Sequence, residues 1–82
     1  MQYEIYTIRD VKADAYFRPF YVPNRAVAVR AVSNLVQDTQ SDIGRNPEDY
    51  QLFYIGTYDD NSGVISAIAP EHILNINTLG DK

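Results

Sequence analysis

The sequence has no cysteine, no tryptophan, one histidine and four glycines, and each shortage removes a class of chemistry. Without cysteine there is neither a disulfide framework nor a thiolate zinc cluster to reinforce a small core. With His72 as the lone imidazole, a transition-metal centre would rest almost wholly on carboxylates, which suit hard cations instead. A Ser-His-Asp triad would have to recruit the same His72, close to the end of the chain and far from any strained nucleophile turn. The glycines stand apart at positions 44, 56, 63 and 80, so no glycine-rich phosphate loop exists. Long apolar runs are missing too. Residues 26–36 are the most apolar stretch, and Arg30, Ser33 and Asn34 interrupt it far short of a membrane span. Residues 1–10 lack a basic leader followed by an apolar run, so no signal peptide is expected, and the chain is expected in a cytoplasm rather than on a membrane. No cofactor and no enzymatic activity are expected from this set of residues.

The 82 residues are expected to form one domain with a thin core, because a chain this short buries only roughly 60–65% of its unfolded surface. Aromatic residues are plentiful: seven Tyr and three Phe in a chain of net charge −4. That charge excludes a uniformly basic nucleic-acid binder. Its distribution is uneven, however. Residues 1–30 hold five bases and three acids, whereas residues 31–82 hold two bases and eight acids.

Residues 2–9 alternate and are rich in Tyr, Ile and Thr, which predicts a strand. A turn follows through residue 14. Residues 15–22 predict a second strand, and Pro19 makes it an edge strand or an interrupted one. Asn24 is placed to cap a helix over residues 25–39, in which Ala28, Val29, Val32, Leu35 and Val36 share a face. Its valines lower intrinsic helix propensity, so the helix needs a sheet to pack against. Residues 41–45 read as a polar loop, and residues 46–49 as a capped turn with Pro47 at its first helical position. Residues 50–58 are the strongest predicted strand. A hairpin loop over 59–63 leads to a last strand over 64–69, which Pro70 is expected to stop. The tail, 70–82, is left with at most a helical turn. The order β-β-α-β-β predicts an α+β fold of two layers: a mainly antiparallel four-stranded sheet with one helix on one face. Residues 52–55 are apolar on both faces of their strand, so something is expected to cover the face the helix leaves bare.

The segment Asp59-Asp60-Asn61-Ser62-Gly63 has the flavour of a calcium loop, but glycine arrives at the fifth position and Pro70 stands at the twelfth. Turn chemistry accounts for these residues. Two other groups are candidates for function. Lys12, Arg18, Arg25 and Arg30 are interleaved with Tyr16, Phe20 and Tyr21, a combination of cations for phosphates and rings for bases that suits single-stranded nucleic acid. The same aromatics would equally serve a core or an oligomer interface with the bases at its rim. Asp38, Asp42, Glu48, Asp49, Asp59 and Asp60 form the second group, a potential contact for a basic protein. A homodimer that pairs sheets or edges is expected, since a domain of this size with a sheet apolar on both sides gains stability that way.

The ordered set Tyr3-Glu4-Ile5-Tyr6-Thr7-Ile8-Arg9-Asp10-Val11-Lys12-Ala13, Ala15-Tyr16, Pro19-Phe20, Ala28 to Arg30, Asn46-Pro47-Glu48-Asp49-Tyr50, Leu52-Phe53, Gly56, Tyr58-Asp59-Asp60 and Gly63 resembles the small nonstructural protein of gokushoviruses. These are microviruses, tailless bacteriophages with single-stranded DNA. The resemblance covers roughly residues 1–65. It implies a non-enzymatic accessory role in the host cytoplasm, at the switch from duplex copying to single-strand synthesis coupled to packaging. The implied partners are single-stranded DNA, or a complex of phage replication initiator, host helicase and procapsid. The alternative is an oligomeric adaptor whose acids meet a basic replication or capsid protein and which binds no DNA itself. The acidity of residues 31–82 and the valine-rich helix depart from the family pattern, and the acidity argues against tight, independent DNA binding.

Overall fold

The computed structural model of the protein describes residues 1–79. Alternating Tyr and Ile residues build the first strand, β1 (Gln2–Asp10), which becomes the hub of an antiparallel sheet. Two short strands, β2 (Ala15–Tyr16) and β3 (Phe20–Val22), both pair with one side of β1. They are one predicted strand broken in the middle, where Pro19 has no amide to donate. Thr7 Oγ1 donates to the Phe17 carbonyl at 2.7 Å and so holds the broken segment against β1.

Helix α1 (Arg25–Gln37) follows, with the Asn24 side chain accepting from the Val27 amide at 3.0 Å. Ala28, Val32 and Val36, one per turn, are its buried stripe. The chain then reverses through a second, one-turn helix, α2 (Asp42–Arg45), where a polar loop was expected. Ser41 makes that turn possible, since its hydroxyl caps the Gly44 amide at 2.9 Å and donates to the Asp38 carbonyl at 2.8 Å. A Cβ on Gly44 would stand 1.9 Å from the Asp38 carbonyl oxygen, so no side chain fits there. Pro47–Asp49 form a 3₁₀ turn; Asn46 precedes it without the expected side-chain cap.

Strand β4 (Tyr50–Asp59) pairs with β1 along its whole length, and β5 (Val64–Asn75) pairs with β4 on the other side. The sheet order is β2-β1-β4-β5, with β3 beside β2 against β1. The fold is thus α+β, an antiparallel sheet with the main helix on one face, and it has five strands rather than four.

Pro70 does not stop the last strand. β5 runs on for twelve residues because Pro70 falls in a bulge: Ala67 pairs with Gly56 and Glu71 with Tyr54, leaving 68–70 outside the ladder. A residue without an amide costs nothing where no ladder bond is made.

The tail is also more than a loose end. Ile76–Leu79 form a 3₁₀ turn under the sheet, and Ile76 is fully buried with Tyr6, Val32 and Leu52. The core cluster joins Tyr6, Ile8, Val22, Val32, Ile43, Tyr50 and Leu52 to that tail residue. Replacing Ile76 by Ala should therefore destabilise the fold by about 2–5 kcal/mol, the usual range for truncating a buried aliphatic side chain. A urea midpoint unchanged from the parent protein would contradict this packing.

Candidate functional site

Strand parity sorts the aromatic residues onto two faces. On the helix side lie Tyr6, Phe20, Tyr50 and Tyr54. Tyr6 stacks obliquely on Phe20 and Tyr54 at centroid distances of 6.3 and 5.3 Å, and Phe17 meets the edge of Tyr50 at 5.8 Å. The Tyr6 hydroxyl donates to Glu4 Oε1 at 2.7 Å and accepts from Arg25 Nε at 3.2 Å. The Arg25 guanidinium lies 5.9 Å from the Tyr54 ring centre, so this arginine is committed to the fold.

Burial, reinforced by the Glu4 hydrogen bond, pushes the Tyr6 phenol above its ordinary value, and the hydrogen bond from Arg25 only partly offsets this. Burial also raises Tyr50, helped by Asp10, Asp42 and Asp49 nearby. Both phenols hold their protons more tightly in the folded chain than in the unfolded one. Their contribution to stability is complete below about pH 10, the ordinary tyrosine value, and is lost as pH rises through the raised folded values. Urea midpoints should accordingly fall between pH 10 and pH 11, and Tyr6→Phe should lessen the fall. A midpoint flat across that range would count against the assignment.

The opposite face of the sheet carries Tyr3, Ile5, Thr7 and Arg9 from β1 and Tyr16 and Tyr21 from its short partners. From β4 come Gln51, Phe53 and Tyr58, and from β5 Ile65, Ala67, His72 and Asn75. Their rings form two groups. Tyr16, Phe53 and His72 make a row across the sheet, each edge to face with the next at 5.6 and 5.5 Å. Arg9 lies 6.0 Å from the centre of the Tyr16 ring and pairs with the exposed carboxylate of Asp14. Toward the other end, Tyr58 contacts Tyr3 at 6.5 Å and Tyr21 at 5.8 Å. Between the groups lies a low floor of Ile5, Gly56 and Ala67, paired side by side. Tyr16 and Tyr21 remain 47% and 49% exposed. Thr7 and Ile5 are buried beneath the rings although no helix covers them.

No acid occupies a strand position on this face among the described residues. The strand acids Glu4, Asp10, Asp59 and Glu71 have the other parity, as their partners Val22, Ala15, Val64 and Tyr54 show. In a chain with eleven acids and a net charge of −4, the strand residues of one whole sheet face carry no acid, and their cation, Arg9, is paired with Asp14 from the turn between β1 and β2.

The candidate cations and rings of the sequence are divided by this arrangement. Tyr16 and Tyr21 are on the open face. Phe20 packs against the core, and Arg18 lines an apolar cleft of about 420 Å³ between Phe17, Phe20 and the Ala31 and Leu35 side of α1. Arg25 is held by Tyr6, Arg30 is exposed on the helix, and Lys12 sits 3.7 Å from Asp49. Arg9, Tyr3, Phe53, Tyr58 and His72 join Tyr16 and Tyr21 instead; period-two alternation groups Tyr3 with Arg9 on β1, but the bulge at Ile55 hides the shared face of Phe53 and Tyr58, and His72 lies on β5.

The acidic candidates separate as well. Asp38 accepts from the Gln40 amide and Asp42 pairs with Arg45, and these two with Glu48 and Asp49 lie in the helical turns before β4. Asp59 and Asp60 lie at the far end of that ten-residue strand, roughly 30 Å away, where Asp60 binds the terminal amine of Met1 at 2.6 Å. Among the described residues, no three His, Asp or Glu side chains are grouped to hold a metal ion, and no helix is long and apolar enough to cross a membrane.

Fold and face together define a small α+β domain with a helix behind its sheet and an uncovered aromatic surface in front. The chain belongs to the Phage ORF5 protein family, whose model matches residues 3–79. The match gives the chain a bacteriophage context, and the family is not a known enzyme family. No curated protein and no solved structure is significantly similar to it.

Proposed function

We propose that the protein is a phage accessory factor that holds single-stranded DNA on the open face of its sheet. The observation that carries this reading is the exclusion of acids from the strand positions of that face, combined with the row of exposed Tyr16, half-buried Phe53 and exposed His72 beside Arg9. Unpaired bases offer flat faces to such rings, and base stacking on an aromatic side chain contributes about 1–3 kcal/mol per base. Duplex DNA hides those faces, so single strands are favoured. With Arg9 the one cation among the strand residues of the face, attraction to phosphate is a minor contribution and stacking dominates. The role belongs to viral single-strand synthesis and packaging in the host cytoplasm, as the gokushovirus resemblance implies; the family match supports the bacteriophage context of this reading.

Fluorescence anisotropy with a single-stranded and a duplex oligonucleotide at two salt concentrations tests the reading. The single strand should bind more tightly, with log K falling against log salt at a shallow slope of about −0.7 to −1.4, equivalent to one or two phosphates. Arg9→Gln should weaken binding and flatten the slope by roughly one phosphate. Arg18→Gln, on the helix side, should leave it unchanged. Absence of single-strand binding at low salt would overturn the reading in favour of an adaptor, in which the acids of one end of the molecule meet a basic protein.

A further inference from the structure

The two edges of the sheet are unlike. On one side, β2 and β3 are two and three residues long and are bounded by Pro19 and Pro23, with Lys12 and Arg18 nearby. Short strands, prolines and charges are the usual devices that stop an edge from pairing with another chain. The other edge, β5, has twelve residues, and among the described residues nothing pairs with its outer side. From Val64 to Ala69 it carries no charge. Val64 and Ile65 are each 55% exposed and Ile68 is 46% exposed.

We propose that β5 is the edge through which two copies of this chain join, antiparallel, into one continuous sheet. The proposal deepens the DNA-binding reading and, for its consequence, rests on it. A second copy is the occupant that the charge pattern favours. An uncharged strand matches another uncharged strand, and self-pairing places no like charges opposite one another within 64–69. A two-fold axis through Ser66 sets Val64 against Ile68 of the other copy and Ile65 against its Ala67. The acidic hairpin tips then point in opposite directions. Asp60 sits level with Gly63 across the hairpin turn, so the Asp60 residues of the two copies stand about six residue steps apart along the joined strands and three strand spacings across, roughly 25 Å. That is about three Debye lengths at physiological salt, so the two acidic tips are screened from each other.

The geometry has a functional consequence. Two antiparallel edge strands related by a two-fold axis need that axis perpendicular to the sheet, and such an axis keeps each face on its own side. Both aromatic faces therefore look the same way, and both copies of α1 lie behind. Ile65, next to Tyr58 in the ladder, sits at the seam. The two aromatic surfaces become one track, long enough for a single strand to run from one copy onto the other.

Sedimentation of the free protein over a wide concentration range should show the mass rising from 9.3 kDa toward twice that value. The double substitution Val64→Lys/Ile68→Lys, at exposed positions, should hold it at the single-chain mass with an unchanged far-ultraviolet spectrum. Mixing that variant with Val64→Glu/Ile68→Glu should restore the double mass, because each new cation then faces a new carboxylate. On an oligonucleotide twice the length of a single-copy site, the parent should bind at least tenfold more tightly than the lysine variant, and on a short one equally. A single-chain mass at every concentration overturns the dimer, and a dimer indifferent to the lysine pair overturns the β5 assignment. A dimer that dissociates as expected but binds no oligonucleotide leaves the edge in place, and overturns the DNA reading and the shared track with it.

Discussion

Removing the rings of Tyr16 and Phe53 together should lower affinity for a single-stranded oligonucleotide by about 30-fold or more, roughly 2 kcal/mol. The two rings touch edge to face at 5.6 Å, so their losses are not expected to add as independent stacking sites would. That contact keeps the expected loss at the low end of the range for two bases. Tyr16→Ala alone is the cleaner variant for stability, because nearly half of its surface is already in water. It should keep the parent's unfolding free energy in urea titrations within about 0.5 kcal/mol, the usual effect of a surface change. Phe53 is half-buried over Thr7, so its truncation also loosens the sheet and must be compared at a temperature where both chains are folded. Anisotropy titrations of the parent, both single variants and the double variant check this. Full affinity in the double variant would remove the stacking row from the account.

Gly56→Ala should destabilise the fold by about 3 kcal/mol or more. Gly56 has φ +149°, a region that an L side chain rarely adopts, and a Cβ there would stand 2.3 Å from the Ser66 carbonyl oxygen. Backbone strain of this kind costs about 1–3 kcal/mol. Overpacking adds a similar amount, about 1–3 kcal/mol. Relief by a small shift is blocked on both sides, because Gly56 pairs with Ile5 on β1 and Ala67 on β5 at the point where β4 bulges around Ile55. A small domain has on the order of 5–10 kcal/mol to lose, so this one methyl group takes away a large part of it. The urea midpoint should drop with little change in slope. A loss under about 1 kcal/mol would mean that the bulge is not built as described.

The helix and the layer order were legible because their signals are local. Asn24 as cap and the recurrence of Ala28, Val32 and Val36 need no knowledge of the rest of the chain. Pro70 was misleading for the opposite reason. Whether a proline ends a strand depends on whether a neighbour needs its amide, and among the described residues β5 has no partner on its outer side and a bulge on its inner one. The tail showed a usable signal in Ile73, Leu74, Ile76 and Leu79, which pack on or within the core, but no sheet could be assigned to them before β5 was extended. The site was the least legible part. By position in the chain the aromatics fall into one group among the bases, Tyr16 to Tyr21, and one on the strongest predicted strand, Tyr50 to Tyr58. Parity cuts across both, sending Tyr16 and Tyr21 to join Phe53 and Tyr58 while Phe17 and Phe20 go with Tyr50 and Tyr54. The bulge at Ile55 reverses the alternation midway, so Phe53 and Tyr58 share a face despite their odd spacing. Register set by long-range pairing cannot be read from either strand alone.

The central claim is that the open face of the sheet is the surface that meets a single strand. An amide ¹H–¹⁵N correlation spectrum titrated with an oligothymidylate tests it residue by residue. The account predicts shifts along Tyr3 to Arg9, at Tyr16, and from Gln51 to Tyr58, with the amides of α1 unmoved. Shifts confined to α1 and the Phe17–Phe20 cleft, or none at all, would contradict it.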